Sequence, residues 1–287
     1  LREVFETEVI DRFCRTYLSG WTPNPCVLCN PMIKFGLFLD AARERGAEKL
    51  ATGHYARIEY HEASGLYQLK KPRDLRRDQT YFLYRLSQEQ LSRVLFPLEE
   101  TKKKHNRKIA AGLGVDDPWG GGSTDICFLE QGRYAELIRK RFPEITGPGE
   151  IVDASGNVMG RHDGIIDVTI GKRKGLNVTV NTPVYVNRID PENNRIEVGP
   201  REDCMFTRIR LENVHWLSIV PPEKELAAFV KLRFLTPAFS ARIYPQEDGT
   251  AEIVFDEPQF APTPGQSAVF YLNDIVAGGG IIERNIA

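Results

Sequence analysis

From Leu1 to Tyr17 the apolar side chains fall on every fourth position, Phe5, Val9, Phe13 and Tyr17, with charged residues between them, which predicts an amphipathic helix over residues 2–18. Ile33, Leu37, Phe38, Ala41 and Ala42 repeat the pattern in a second helix, starting near Pro31 and closed by Gly46 in the left-handed position after a helix end. Residues 49–54 then read as a short buried strand that stops at Gly53-His54. A helix feeding such a strand builds the ligand-bearing edge of a parallel α/β sheet. Residues 57–70 read as a hairpin turning at Ser64-Gly65, and helices are predicted over 79–86, 88–95, 102–113 and 132–142. Ser87 and Gln90 form a capping box for the second of these, and Gly114 closes the third. After residue 149 the spacing changes. Strands recur about every eight to twelve residues with Gly, Pro, Asn and Asp between them, and Gly199-Pro200 divides them into two small barrels. The predicted fold class is α/β plus all-β: an α/β domain over 1–145, bounded near Thr146-Gly-Pro-Gly149, a central β domain over 146–204 and a C-terminal β-barrel over 205–287.

Composition alters this picture in one place. With 41% hydrophobic residues in 287, the chain supports two or three cores, and a net charge of −1 gives no global argument for a polyanionic partner. Residues 70–108, however, carry twelve Lys or Arg against five Asp or Glu, in the runs KKPRDLRRDQ (70–79) and KKKHNRK (102–108). Such a cluster suits phosphate contacts, and a solvated helix face is the plainer alternative. Five cysteines, an odd number, do not describe a secreted disulfide framework. No signal peptide or apolar run of membrane length is apparent, which points to the cytoplasm and to no membrane partner. Leu1 is not an initiator methionine, and a sheet of one or two strands is too small to stand alone, so a preceding N-terminal portion is expected.

The candidate chemistry is in sulfur. Cys26 and Cys29 lie in TPNPCVLCNPMIKF (22–35), and Cys127 lies in STDICFLE (123–130). Pro23 and Pro25 hold the backbone extended, placing the pair on a rigid loop at the mouth of the helix that starts near Pro31. A helix N-terminus favours a thiolate, lowering a cysteine pKa from about 8.5 towards 7. The alternative is half a zinc site, although no second C-x-x-C or H-x-x-x-H completes one. Cys14 and Cys204 read as buried or incidental, and the run Trp119 to Ser123 ahead of Cys127 reads as a mobile loop or a plain linker.

Those segments, with ATGHYAR (51–57), RRDQTYFLYRL (76–86), GRHDGIIDVTIGKRKGL (160–176), FDEP (255–258), TPGQSAVFY (263–271) and GGGIIE (278–283), resemble the bacterial tRNA-specific 2-thiouridylases along the whole chain. These enzymes replace the C2 oxygen of the wobble uridine with sulfur. The resemblance implies an ATP-pyrophosphatase type (adenine nucleotide alpha hydrolase-like) α/β domain, a small central domain and a β-barrel. It implies ATP with Mg2+ as the adenylating agent, tRNA acceptors for Lys, Glu and Gln, and a sulfur-relay protein or cysteine desulfurase as donor. Cys127 matches the persulfide carrier and Cys29 the nucleophile, with a transient Cys29–Cys127 disulfide. Asn24, Pro25 and Cys26 match the segment that contacts the target base, and Gly53 matches a nucleotide contact. His54, the triplet Arg77, Asp78 and Gln79, and Arg233, Phe234 and Gln266 match tRNA contacts, while Lys172 to Lys174 match a basic motif fit for backbone contact. Two departures stand out. Cys26 occupies a place where some members carry Asp as a base for the nucleophile, leaving a Cys26 thiolate, His54 or water for that role. The three thiols also suit a 4Fe–4S cluster with one open iron. The Ser-Gly-Gly-x-Asp-Ser phosphate loop is absent from the sequence and is expected upstream of Leu1; otherwise the chain is a non-catalytic tRNA-binding fragment.

Overall fold

The computed structural model describes residues 1–115, 126–129, 133–145, 147–180 and 182–286, with side chains to Glu283. The glycine run Trp119 to Ser123, the helix start at Gly132 and the boundary residue Thr146 lie outside the described residues.

Residues 2–18 are helical as the four-residue spacing requires. The stripe Ile10, Phe13, Cys14 and Tyr17 is buried against the central β domain and Ile138, in a core shared with Ile151, Val186 and Ile196. The second helical run departs from expectation at its start. It begins at Pro25, directly after Asn24, because proline at the first helical position carries no N–H to leave unpaired and already holds the helical φ. Cys26 and Cys29 therefore sit inside the first turns of this helix and not on a loop before it. The continuous run Pro25–Arg43 also reaches the length and apolarity of a membrane span, contrary to the expectation that no such run exists. Val27, Phe35 and Leu39 of this run are buried in the protein. Its regular turns break at Gly36 (φ −101°, ψ −105°), where an added Cβ would lie 2.7 Å from the Pro31 carbonyl oxygen.

Strands β1 (Leu50–Ala51) and β4 (Val94–Leu95) pair in parallel, so a strand does end just before Thr52-Gly53-His54, but it is two residues long, with Leu50 half-buried and Ala51 exposed, and not the buried strand expected over 49–54. The hairpin β2 (Arg57–His61) and β3 (Leu66–Lys70) turns at Gly65, whose φ of +65° suits glycine. The helix predicted over 79–86 is reduced to one turn, Thr80–Phe82. Tyr81, Leu83, Tyr84 and Leu86 are each no more than 1% exposed, and only Gln79, Phe82 and Arg85 are half-buried, so packing decides this segment's path more than helix spacing does. The Asp78 carboxylate accepts from the Thr80 amide and hydroxyl, which fixes a local turn instead. The capping box at Ser87 and Gln90 is present, and its helix Gln88–Arg93 hands over to β4. Helices Lys103–Gly112 and Tyr134–Arg141 complete the first part.

In the central domain β5 (Gly149–Val152), β6 (Val158–His162), β7 (Tyr185–Asp190) and β8 (Arg195–Gly199) form a sheet in the order β6-β5-β8-β7, with β5 and β8 parallel. The last part is a closed barrel of β9 (Met205–Trp216), β10 (Leu226–Lys231), β11 (Phe239–Pro245), β12 (Ala251–Phe260), β13 (Ser267–Leu272) and β14 (Ile275–Ile286). Its order is β13-β10-β11-β12-β9-β14, and β14 pairs back to β13. The hairpin from the first part joins this sheet through Lys70 against Ile275, and Arg57 donates to the Asp274 carboxylate at 2.7 Å. Val27, Phe35, Leu69 and Tyr84 accordingly share one core with Val269, Tyr271 and Val276 of the barrel.

Candidate active site

Cys26, Cys29 and Cys127 come within electrostatic reach of one another. Cys26 and Cys29 stand half-buried on the Pro25 helix, three residues apart and so on one face, and Cys127 stands exposed in a turn closed by a Leu129 N–H to Ile126 carbonyl bond. That turn is anchored by Phe128, whose ring packs edge-on against Phe5 and Phe13 at centroid distances of 5.9 and 5.3 Å. All three thiols are unbridged. They lie close enough to act on one another electrostatically. Burial pushes the Cys26 thiol up to about 11, with Cys127 and Cys29 adding to the rise and Lys34 opposing it. Burial likewise raises Cys29, with Lys34 pulling it down and Cys127 pushing it up. The helix N-terminus was expected to lower these values; desolvation acts the other way and wins.

Lys34 is the residue that sequence reasoning passed over. It lies little more than one turn beyond Cys29, and its Nζ is 3.5 Å from Nε2 of His54, so one ammonium serves both the thiols and the Gly53-His54 turn. A lysine ammonium only donates, so Nε2 accepts and the His54 proton sits on Nδ1, which donates to Thr52 Oγ1 at 2.8 Å. Burial and Lys34 lower the His54 pKa to about 4, and the neutral ring lies against Phe35 and Phe96. Both ring nitrogens are thereby engaged. The signal in the sequence was the short run from Cys29 to Lys34, which puts a cation on the thiol helix.

Among the described residues no group of three His, Cys, Asp or Glu side chains is disposed to hold a metal ion, so the thiols do not fit a ready cluster site, and no step is routed through iron. Gly53 is exposed at its strand end; its φ is outside the left-handed region, and an added Cβ would meet only Leu98 at 3.8 Å.

The other motif residues divide into outward and inward groups. Arg77 is exposed at the junction of two adjoining clefts of about 440 and about 780 Å³, lined by Arg73, Arg76, Lys102, Lys104, Arg107 and Lys108 among others. Arg76 and Arg77 come from the single turn Leu75–Arg77, with Arg73 just ahead of it, and the others from the helix Lys103–Gly112 and its capping residue Lys102, so the two basic runs of the sequence form one surface. Asp78 turns inward to Thr80, and Gln79 accepts from the Tyr55 amide at 2.8 Å. Arg233 donates to the Ala261 carbonyl and the Thr263 hydroxyl, and Phe234 stacks on Phe82 at 4.5 Å. Gln266 donates to the carbonyls of Thr22 and Pro23. Asn24 and Pro25 open the thiol helix. In the central domain Lys172 donates to the Asp167 carbonyl, while Arg173 and Lys174 are exposed and apart from the thiols in their own turn.

Comparison with known proteins agrees with this geometry. Residues 1–131 match a tRNA methyl transferase HUP domain, 136–200 a tRNA methyl transferase PRC-barrel domain and 206–282 an aminomethyltransferase beta-barrel domain. The chain is 44% identical to the tRNA-specific 2-thiouridylase MnmA 1 of Caldanaerobacter subterraneus over 100% of its own length and 79% of the relative's. It is 43% identical to MnmA of Clostridioides difficile and 41% identical to MnmA of Halothermothrix orenii, each over 99% of its length and 79% of theirs. With similarity of this extent across all three parts, the chain belongs to the tRNA-specific 2-thiouridylase family.

Proposed function

We propose that this protein is a tRNA sulfurtransferase that thiolates C2 of the wobble uridine in tRNAs for Lys, Glu and Gln. The observation that carries the reading is that Cys29 has both Lys34 and Cys127 within electrostatic reach, in a chain of this family. The domain label speaks of methyl transfer and the relatives' names of thiolation; gathered thiols favour the second.

Adenylation of the C2 oxygen from ATP with Mg2+ supplies the leaving group that a carbonyl lacks. Gly53 lies against the nucleotide in this reading, which is supported by a fold that makes no demand of its own for glycine there. Cys127, being exposed, is the thiol open to a donor, either a sulfur-relay protein or a cysteine desulfurase, whose persulfide passes its outer sulfur to Cys127 and leaves as a thiolate. The outer sulfur of the Cys127 persulfide attacks C2, the C2–O bond breaks, and AMP departs. Cys29, as thiolate, then attacks the Cys127 sulfur. Its bond to the transferred sulfur breaks with the electron pair going to the new thiocarbonyl, leaving a Cys29–Cys127 disulfide for an external dithiol to reduce. Asn24, Pro25 and Cys26 face the target base, and Lys34 stabilises the Cys29 anion that burial alone opposes. His54, held neutral, is a contact group and not the base for Cys29. The tRNA phosphates run along the cationic cleft at Arg77 and the Lys103–Gly112 helix, and the strand reaches the barrel at Phe234.

The test is mass spectrometry of wobble uridine from cells in which C29A or C127A replaces the full-length protein. Loss of 2-thiouridine in both is expected; retention in either removes that thiol from the reaction.

A further inference from the structure

Besides the core that the barrel shares with the thiol helix, the turn between β12 and β13 reaches the segment that leads into that helix. Its main chain is fixed within the barrel: the Gly265 N–H donates to the Ile282 carbonyl at 2.9 Å, the Ile282 N–H to the Gln266 carbonyl at 2.8 Å, and the Gln266 N–H to the Thr263 carbonyl at 3.1 Å. Arg233 braces the same turn from the other side through Ala261 and Thr263. The Gln266 side chain is then free to reach outward from a rigid base. Its Nε2 donates to the carbonyls of both Thr22 and Pro23, each at 3.1 Å, and the Thr22 N–H donates back to the Pro264 carbonyl at 2.8 Å. The approach is close enough to require glycine at 265, where φ is +87° and an added Cβ would lie 2.8 Å from the Thr22 oxygen. The Tyr81 hydroxyl, from the first part, donates to the Ser267 carbonyl beside the same turn.

The strap Thr22-Pro23-Asn24 leads directly into the helix of Cys26 and Cys29. Prolines at 23 and 25 leave it few donors of its own, so its direction is set from outside. A helix entered by a fixed strap has a fixed axial position and rotation, and these decide where Cys29 points.

We propose that Gln266 is a positioning residue for the thiol helix: its carboxamide, seated on the barrel and braced by Arg233, holds the Thr22-Pro23 strap and through it sets the placement of Cys29. The barrel thus contributes to the chemistry through the strap as well as through any surface it offers to RNA. The inference rests on the thiol reading above only for its catalytic consequence.

The experiment uses full-length protein with Q266A and Q266E. The glutamate keeps the shape but sets a carboxylate against two carbonyl oxygens, so it is expected to be the more damaging of the two. Without RNA, Thr22 amide hydrogen exchange quickens in both variants while Gly265 and Ile282 stay protected, which also shows that the barrel is folded. The iodoacetamide alkylation rate of Cys29 shifts several-fold. With tRNA, kcat for thiolation falls by about tenfold or more, as displacement of a reacting group by a fraction of an ångström allows, with tRNA affinity within about twofold of wild type. Unchanged Thr22 exchange and Cys29 alkylation would overturn the inference, as would a defect confined to tRNA affinity. Altered exchange and alkylation with thiolation intact would support the positioning role and overturn the catalytic assignment of Cys29 instead.

Discussion

Lys34 sits on the thiol helix with its ammonium beside His54, and it is the cation that opposes the burial of Cys26 and Cys29. Burial raises the folded-state pKa of Cys29, so the thiolate forms only as pH rises, and Lys34 brings that pH down. In K34M the pH midpoint for Cys29 alkylation should move up by about one unit, because one opposite charge at this range has that order of effect. K34R should restore most of it; an unmoved midpoint in K34M would sink the role. At this scale the sequence was legible in part. The three thiols could be picked out, and so could Gly53-His54 at a strand end. The direction of the thiol shifts could not be read, because a helix N-terminus is a local property whereas desolvation depends on how the helix packs, and Val27 and Phe35 of that helix are buried in a core shared with the distant barrel. Asp78, Gln79 and Gln266 show the same limit, since nothing in a polar residue's neighbours tells whether it faces water or a carbonyl.

Among the elements, the Pro25–Arg43 run carries the sharpest test. Ordinary helix propensity makes Gly→Ala a gain of about 1 kcal/mol. At Gly36 the added Cβ would press on the Pro31 carbonyl, an oxygen already accepting from Gln90 Nε2 at 2.7 Å. G36A should therefore destabilise, by about 1–3 kcal/mol as overpacking does, read as a lower denaturant midpoint at unchanged m-value. A gain in stability would show that the break is not needed. Gln90 here does two jobs, since its Oε1 also accepts from the Ser87 N–H in the capping box. The box was legible because its two residues are three apart; the link to Pro31 was not, being 59 positions away. The predicted helix over 79–86 failed for a related reason. Apolar spacing reports that positions are buried, and it reads the same when those positions, here Tyr81, Leu83, Tyr84 and Leu86, are packed in turns.

For the molecule as a whole, charge and core placement matter more than any one contact. The two basic runs, separated in sequence, meet around Arg77, and K104E with K108E should weaken tRNA binding at every sequence alike. The slope of log affinity against log salt should shrink by roughly 0.7–0.9 for each phosphate left without its cation. An unchanged slope would place the RNA elsewhere. The layout of three parts could be followed from the change in spacing near residue 149, but not which core each helix joins. An amphipathic stripe says that a face is buried and is silent on its partner; residues 2–18 pack on the central domain, and the hairpin β2–β3 joins the barrel sheet. The two sulfurs of the proposed reaction inherit this division. Cys29 rides on a helix rooted in the core shared with the barrel, and Cys127 is tethered by Phe128 to the core shared with the central sheet. The gap between them is set as a calliper's is, by two jaws mounted on separate bodies. A disulfide closes only at about 2 Å between sulfurs, so in the proposed reaction the Cys29–Cys127 bond depends on how both cores are packed and not on either cysteine's own loop or helix alone.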